Sequence, residues 1–192
     1  MALRRGFKSE AERVAENLRG ELSLSADEPV TPEALAALLG VEITSGDSLI
    51  SRQRFVDLER LQPGAFFACT FRPSEDRVVV VYNPLSPKSR RASDLAHELA
   101  HILLDHELSR IETLGEMTFL SCDTNQEEEA AWLSGCLLLP RPLLLAEIRR
   151  GATPEEIAES HGVSITMARY RINVTGVMRQ NQARLQNTRV RR

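Results

Sequence analysis

The amino-acid sequence predicts an α+β fold that is mostly helical, with a small antiparallel sheet and a helix-turn-helix-like unit near the C-terminus. Apolar residues recur at helical spacing in several separate segments, which indicates amphipathic helices. Two neighbouring segments before residue 83 are rich in aromatic and β-branched residues, which is typical of strands. The 192 residues are enough for one complete hydrophobic core with a small appendage.

The first part of the chain carries two predicted helices and a short strand. Residues 8–22 place their apolar side chains on one stripe, with Glu and Arg opposite. Thr31 is a typical N-cap, and Gly40 stands where a helix commonly ends in a left-handed turn. Residues 41–44 then alternate like a strand, whereas residues 45–64 combine turn-forming residues with a weakly helical stretch.

A β-hairpin and a long helix are predicted next. Residues 65–71 and 77–82 flank a Pro-Ser-Glu-Asp turn, which is typical of a hairpin. From about Ser86 the spacing of apolar residues becomes helical and stays so up to His106. Residues 107–125 have no strong period, and we expect an irregular segment there.

The C-terminal third is predicted to be helical before a final tail. Residues 126–139 form a helix that a Pro-Arg-Pro run stops, and a short helix follows over residues 142–150. Thr153 and Ser164 are placed as the N-caps of two further helices, which gives residues 153–180 the pattern of a helix-turn-helix.

These elements predict how the chain divides into domains. We expect one main domain over residues 1–150, with the N-terminal helices included, and the helix-turn-helix-like unit over residues 151–180 packed on it. Residues 181–192 contain Arg, no acidic residue and few apolar ones, which predicts a flexible basic tail.

Composition and charge exclude several classes of protein. The formal net charge of -3 gives no global attraction to nucleic acid or to anionic membranes. The N-terminus lacks the apolar core of a secretion signal, and a run of about 18 apolar residues is missing, so we expect a cytoplasmic protein with no membrane partner. Cys69, Cys122 and Cys136 form no CxxC pattern, which predicts buried free thiols rather than disulfides or a thiolate zinc site.

The strongest indication of function is the run His97-Glu98-Leu99-Ala100-His101. Two His four residues apart share one face of a helix and can bind one metal ion. Glu98 lies beside the first His, where its carboxylate can act as a general base toward a metal-activated water. The pattern predicts a zincin-like metallopeptidase core with one Zn²⁺ per chain, although Mn²⁺ also suits such ligands.

A catalytic zinc site holds a third protein ligand besides His97 and His101. The candidates are Glu127, Glu128 and Glu129 at the start of the next predicted helix. We prefer Glu127, because small Ala residues follow it and let two helices approach closely; Glu128 is the second choice, and Glu129 is better suited to a supporting role. Acidic residues in a first helical turn are also favoured by the helix dipole alone.

Peptide hydrolysis also calls for a donor that stabilises the oxyanion. Tyr82, His106, His161, Tyr170 and Arg171 are the available donors, and the sequence leaves the choice open. Structural roles compete for two of them. His161 lies where helix-turn-helix units usually bury a ring, and His106 can end its helix with a favourable dipole contact.

Several of these residues together resemble the ImmA/IrrE family of metallopeptidases. The resemblance rests on three runs of sequence, namely Ser89-Arg90-Arg91, Asp94 to Leu104, and Glu127 through Leu137-Leu138-Leu139-Pro140. In that family a Glu thirteen positions before a Leu-Leu-Met-Pro-like run completes the metal site, and counting back from Pro140 gives Glu127. The resemblance extends over most of residues 6–178.

The resemblance implies a cytosolic zinc endopeptidase whose substrate is an Xre-type helix-turn-helix repressor. Cleavage would relieve repression, which places the protein in transcription regulation and stress response. Ala131 departs from the Asn or Asp that often supports a ligand His in the family, so that support is expected from Glu128, Glu129 or Asp94. Ser93 and Leu139 also depart from the family's common residues, and neither departure removes a ligand.

Two other functions stay open at the level of sequence. Residues 153–180 suggest a DNA-binding module, but only Arg169 and Arg171 are basic in its presumed recognition helix, which disfavours direct DNA binding. The other alternative is a regulatory protein that keeps the metal but does not cleave. The presence of Glu98 argues against it.

Overall fold

The computed structural model describes residues 3–74, 76–106, 110–114, 117–121 and 123–190. The helices are α1 Phe7–Glu21, α2 Pro32–Leu39, α3 Arg52–Leu61, α4 Lys88–Leu103, α5 Thr124–Leu138, α6 Arg141–Arg150, α7 Pro154–Ser160, α8 Ile165–Thr175 and α9 Val177–Val190. The strands are β1 Glu42–Ser45, β2 Ala68–Ser74, β3 Arg77–Tyr82, β4 Arg110–Leu114 and β5 Met117–Ser121. This element order confirms the predicted α+β class.

Local sequence determines the ends of several helices as predicted. The Thr31 hydroxyl accepts a hydrogen bond from the Ala34 amide at 3.2 Å, and Gly40 ends α2 with a left-handed φ of 65°. Thr153 forms a capping box with Glu156 at the start of α7. The Ser164 hydroxyl caps α8 by accepting a hydrogen bond from the Met167 amide at 3.1 Å.

The main sheet has three strands in the order β1-β3-β2, and it is mixed rather than purely antiparallel. Strand β2 pairs antiparallel with β3 as the predicted hairpin, but β1 runs parallel to β3, with Glu42 opposite Val79. The antiparallel prediction is wrong for β1 because the chain passes through α3 and β2 before it reaches β3. That connection is long enough for the crossover that parallel strands require.

The main core lies where α4 and α5 pack against α1 and the sheet. Leu95 and Leu99 from α4 meet Leu133 and Leu137 from α5, and all four are almost completely buried. Ala130, which has no exposed surface, lies in the first half of α5 and leaves room for α4. This close approach of α4 and α5 brings their polar faces together at one end of the core.

Residues 107–125 were predicted to be irregular, and that prediction is wrong for most of the segment. Strands β4 and β5 pair antiparallel, with Arg110 opposite Ser121 and Leu114 opposite Met117. Each strand has only five residues, which is too short for a clear period in the sequence, and their mutual pairing supplies the backbone hydrogen bonds. Helix α5 then begins at Thr124, capped by Asp123.

A second core joins the C-terminal helices to α4 and α5. Its buried members include Ala96 from α4, Leu139 after α5, Leu144 from α6 and Ile157 from α7. The Ser164 amide also donates to the Ser93 hydroxyl of α4 at 3.0 Å. Helices α7 and α8 lie where the sequence expects them; their identification as a helix-turn-helix, and the domain division at residue 150, stay predictions.

Residues 177–190 form helix α9, where the sequence predicted a flexible tail from residue 181. The helix forms there because Arg and Gln, which have good helix propensity, account for six of its 14 residues. Val177 anchors its first turn in the second core. Side chains of residues 182–187 are exposed, as expected of a solvated segment.

Within the described residues, no single helix is long and apolar enough to cross a membrane. Helices α5 and α6 reach that length and composition only as a pair, and they are bent by 62° at their junction.

Cys136 is a buried free thiol, as predicted, and its burial raises its pKa to about 12. Cys69 is also free and is partly buried. Cys122 lies outside the described residues.

Candidate metal centre

Helix α4 holds the two His of the HExxH motif on one side and its apolar residues on the other. His97 and His101 stand one turn apart with ring centroids 4.8 Å from each other, and their Nε2 atoms are 3.1 Å apart. Leu95 and Leu99 anchor the opposite side of α4 in the core. The burial of this side fixes the direction in which both rings point.

Glu127 meets these rings from the first turn of α5. Its Oε2 lies 3.0 Å from His97 Nε2, and its Oε1 lies 3.5 Å from His101 Nε2. The three side chains offer ligand atoms that all lie within 4.8 Å of one another. The structure thus brings together the three residues that the sequence predicts as metal ligands.

The spacing of these atoms suits a metal ion. A tetrahedral zinc site with bonds of about 2.0–2.1 Å has ligand atoms about 3.3–3.4 Å apart, close to the separations between His97, His101 and Glu127. Hydrogen bonds to His101 and His97 lower the pKa of Glu127, so its carboxylate is ionised, as a ligand must be. The side chain of Glu127 is 41% exposed, which leaves the site open to solvent and to a substrate.

The neighbouring Glu129 has a different place from Glu127. Its Oε2 lies 3.4 Å from His106 Nε2, and its Oε1 accepts a hydrogen bond from Arg4. Glu129 therefore lies behind the ligands, in the supporting position that the sequence suggested for it. Glu128, the second choice as third ligand, is not in the converging group of three.

Glu98 follows His97 in α4, and its carboxylate is held by a residue that the sequence did not indicate. The Thr70 hydroxyl of β2 donates to Glu98 Oε2 at 2.7 Å. Thr70 and Glu98 are 28 positions apart, and a Thr within a strand is common without any function. Only the packing of β2 against α4 brings the two side chains together.

Comparison with known families gives a match over the middle of the chain. The model of the IrrE N-terminal-like domain, peptidase family M78, matches residues 53–173, which contain His97, Glu98, His101 and Glu127. The chain belongs to the ImmA/IrrE family of metallopeptidases. The comparison with curated proteins gave no match. The family prediction is thereby confirmed, while the resemblance seen over residues 6–52 stays a prediction.

An ImmA/IrrE metallopeptidase requires a metal, and a further histidine lies next to the candidate ligand His101. His106 Nδ1 lies 3.0 Å from His101 Nδ1, on the side of the ring away from Glu127. Burial, followed by the nearby His101, lowers the pKa of His106, so its ring is neutral at pH 7. His106 thus does more than end α4.

Two of the other candidate oxyanion donors, Arg171 and His161, are engaged elsewhere. Arg171 is completely buried and donates to the Leu139 carbonyl and to Glu12. His161 Nε2 lies 3.0 Å from Glu147, between α6 and α7. These contacts give both residues structural roles.

The two tyrosines among those donors contact other side chains through their rings. The Tyr170 ring packs edge-on against Trp132, and the Arg91 guanidinium lies 4.4 Å from the centre of the Tyr82 ring. Burial raises the pKa of Tyr170, so its phenol stays protonated and able to donate at pH 7. Tyr82 and Tyr170 stay predicted oxyanion donors.

Asp94 was a further candidate for supporting a ligand His in this family member. Its carboxylate accepts from Arg90 Nε at 3.0 Å, one turn back along α4. Burial raises the pKa of Asp94, and Arg90 opposes that shift. Asp94 therefore pairs with Arg90, while His106 and Glu129 form the contacts next to His101.

Proposed function

We propose that this chain is a zinc-dependent endopeptidase in which His97, His101 and Glu127 bind the metal and Glu98 is the general base. The observation that carries the proposal is the convergence of three ligand atoms, from His97, His101 and Glu127, within 4.8 Å. Glu98 follows His97 directly in the HExxH motif. Two imidazoles and one carboxylate are a ligand set of catalytic zinc, which keeps one position open.

Each of these residues has a defined task in peptide hydrolysis. When bound, zinc supplies a Lewis acid that lowers the pKa of water and polarises the scissile carbonyl. Glu98 accepts the proton of the attacking water and then delivers it to the leaving amine, so the proton moves from water to nitrogen through one carboxylate. Thr70 holds that carboxylate in place by donating to Oε2, which leaves Oε1 for the proton.

We propose that the substrate is a cognate Xre-type helix-turn-helix repressor, which this chain would cut to relieve repression in the cytoplasm. The sheet beside the site supports a peptide substrate. Within the described residues β2 pairs with a strand on one side only, so its other edge offers backbone groups to an extended chain. Phe67 and Phe71, which are 37% and 50% exposed, add apolar surface on and beside this strand.

DNA binding through residues 153–180 has less support. Of the two basic residues in α8, Arg171 is completely buried and Arg169 pairs with Glu155 at 2.6 Å. Phosphate contacts need free and exposed cationic groups. We therefore propose that α7 and α8 serve the packing of the protein or the docking of the repressor.

The decisive experiment compares Glu98→Gln with the unmodified chain. The purified chain should contain about one zinc per molecule by elemental analysis. The substrate to test is an Xre-type helix-turn-helix repressor from the same cell, and the unmodified chain should cleave it. Glu98→Gln should keep the zinc and lose activity by about 100- to 10,000-fold, the usual contribution of a general base. Glu33→Gln, an exposed Glu on α2, is the matched control and should cleave normally.

Two outcomes would overturn the proposal. A purified chain that binds neither zinc nor manganese is not a metallopeptidase of this design. Cleavage by Glu98→Gln at the rate of the unmodified chain would remove Glu98 from the role of base.

A further inference from the structure

A row of polar side chains leads from His101 away from the metal position to the N-terminal segment. His101 Nδ1 lies 3.0 Å from His106 Nδ1, and His106 Nε2 lies 3.4 Å from Glu129 Oε2. Arg4 Nε then donates to Glu129 Oε1 at 3.0 Å. The row thus connects α4, α5 and the segment before α1.

The end of α4 is shaped to place His106 in this row. Asp105 has a positive φ of 51°, a conformation that is unfavourable for a residue with a side chain. It turns the chain back, so that the His106 amide donates to the His101 carbonyl at 3.0 Å. The backbone hydrogen bond and the contact between the rings therefore both join His106 to His101.

The inner part of the row is shielded from water. The side chains of His106 and Glu129 are 7% and 12% exposed, whereas that of Arg4 is 53% exposed. Arg4 also pairs with Glu10 at 2.9 Å on the surface. Hydrogen bonds in such a shielded place hold a ring more firmly than exposed ones do.

The order of donors and acceptors follows from the metal. If His101 binds zinc through Nε2, its Nδ1 carries the hydrogen and donates to His106 Nδ1. His106 then carries its own hydrogen on Nε2 and donates to the Glu129 carboxylate. One arrangement of hydrogens satisfies every contact, and it fixes both the tautomer and the orientation of the ligand ring.

We propose that His106 is a positioning residue for the metal ligand His101, and that Glu129 and Arg4 hold it in place. This inference rests on the proposed function in so far as His101 is a ligand. It also assigns a role to Arg4, which lies outside the residues 53–173 matched by the family. Metal affinity then depends on the N-terminal segment as well as on HExxH.

The test measures zinc affinity by competition with a chromophoric chelator. His106→Phe keeps a ring but loses the acceptor, and we expect zinc to bind about 10- to 100-fold more weakly, as for other groups that support a ligand. His106→Gln keeps an acceptor and should restore part of the affinity. Glu129→Gln and Arg4→Gln should have progressively smaller effects.

A matched control separates positioning from folding. His161 also contacts a carboxylate, that of Glu147, at 3.0 Å, but this pair has no contact with a ligand. His161→Gln should therefore change thermal stability without changing zinc affinity. Arg5→Gln, the exposed neighbour of Arg4, is the corresponding control for the N-terminal segment.

Cobalt gives a second readout. The visible absorption of the Co²⁺-loaded chain reports on ligand geometry, and it should shift in His106→Phe but not in His161→Gln. Should His106→Phe fail to fold, Glu129→Gln carries the test with the same two measurements.

The outcomes distinguish this inference from the proposed function. Unchanged zinc affinity in folded His106→Phe, or in Glu129→Gln where the Phe variant does not fold, overturns the positioning role alone. Absence of zinc binding by the unmodified chain overturns both proposals. If zinc affinity depends on His106 as expected but the unmodified chain cleaves no repressor, only the proposed activity is contradicted.

Discussion

The region around α4 and α5 and the region from α6 to α8 each contain a shielded His–Glu pair. In the first region His106 contacts Glu129, and the other ring nitrogen of His106 continues to His101. In the second region Glu147 contacts both His161 and Arg150, so the polar groups satisfy one another. The same two residue types thus lie next to the candidate metal site in one region and join helices in the other.

This difference separates two kinds of substitution. Around His97, His101 and Glu127, polar side chains converge so closely that they can share one metal ion, so their loss should change metal binding or cleavage. In the C-terminal region, and where it packs against α5, buried side chains fill the space between helices, so their loss should change the free energy of unfolding. Substitutions in the two regions test whether the division holds.

The largest effect is expected from Glu127→Gln. An amide is a poor zinc ligand, and the free energy of binding of 10–16 kcal/mol at structural zinc sites is shared by about four ligands, so affinity should fall by about 100-fold or more. Chelator competition measures the change. Glu128→Gln is the control from the same helical turn, and equal losses in both variants would leave the third ligand unassigned.

Gly135→Ala should give the largest loss of stability without a change in zinc affinity. A Cβ at Gly135 would lie 2.3 Å from Cδ of the buried Arg171, so the Arg171 side chain, which packs against α5 there, has to move. We expect a loss of about 2 kcal/mol in chemical unfolding. Gly20→Ala, where a Cβ meets no atom within 4 Å, should be neutral or stabilising. A normal melting curve for Gly135→Ala would contradict the close packing at this crossing.

Thr70→Val should reduce kcat by about tenfold, since Glu98 loses one hydrogen bond to its charged group while the ligands stay in place. Zinc content and thermal stability should stay close to those of the unmodified chain. Thr70→Ser keeps the hydroxyl and should restore most of the rate. If Thr70→Ser is as slow as Thr70→Val, the methyl group rather than the hydrogen bond matters.

The smallest effect is expected from Thr153→Ala, which removes the capping box of α7. The loss should be about 1 kcal/mol in unfolding free energy, with zinc affinity and cleavage unchanged. Thr153→Ser should be nearly neutral. A loss of cleavage in a folded Thr153→Ala variant would show that α7 contributes to the reaction and not only to packing.

Features with a local cause could be predicted from the sequence. The caps at Thr31, Thr153 and Ser164 define helix starts through neighbouring backbone amides, and His97 and His101 share a face because of the helical period. The pairing of β4 with β5 and the parallel alignment of β1 depend on partners elsewhere in the chain, and the sequence pattern missed both.

The site follows the same rule. The two His and Glu98 are local features, and Glu127 could be proposed because its spacing from Pro140 resembles that of the family. The contact between Thr70 and Glu98 and the row from His101 to Arg4 join residues that are far apart in the chain. Such contacts leave no period, cap or motif in the sequence.

Helix α4 packs against both hydrophobic cores, which limits where the chain can be shortened. Leu95 and Leu99 belong to the main core, while Ala96, between them, belongs to the C-terminal one. A fragment that ends after α6 would keep every ligand but expose one side of the helix that carries His97. The smallest working peptidase is therefore expected to be larger than its set of catalytic residues suggests.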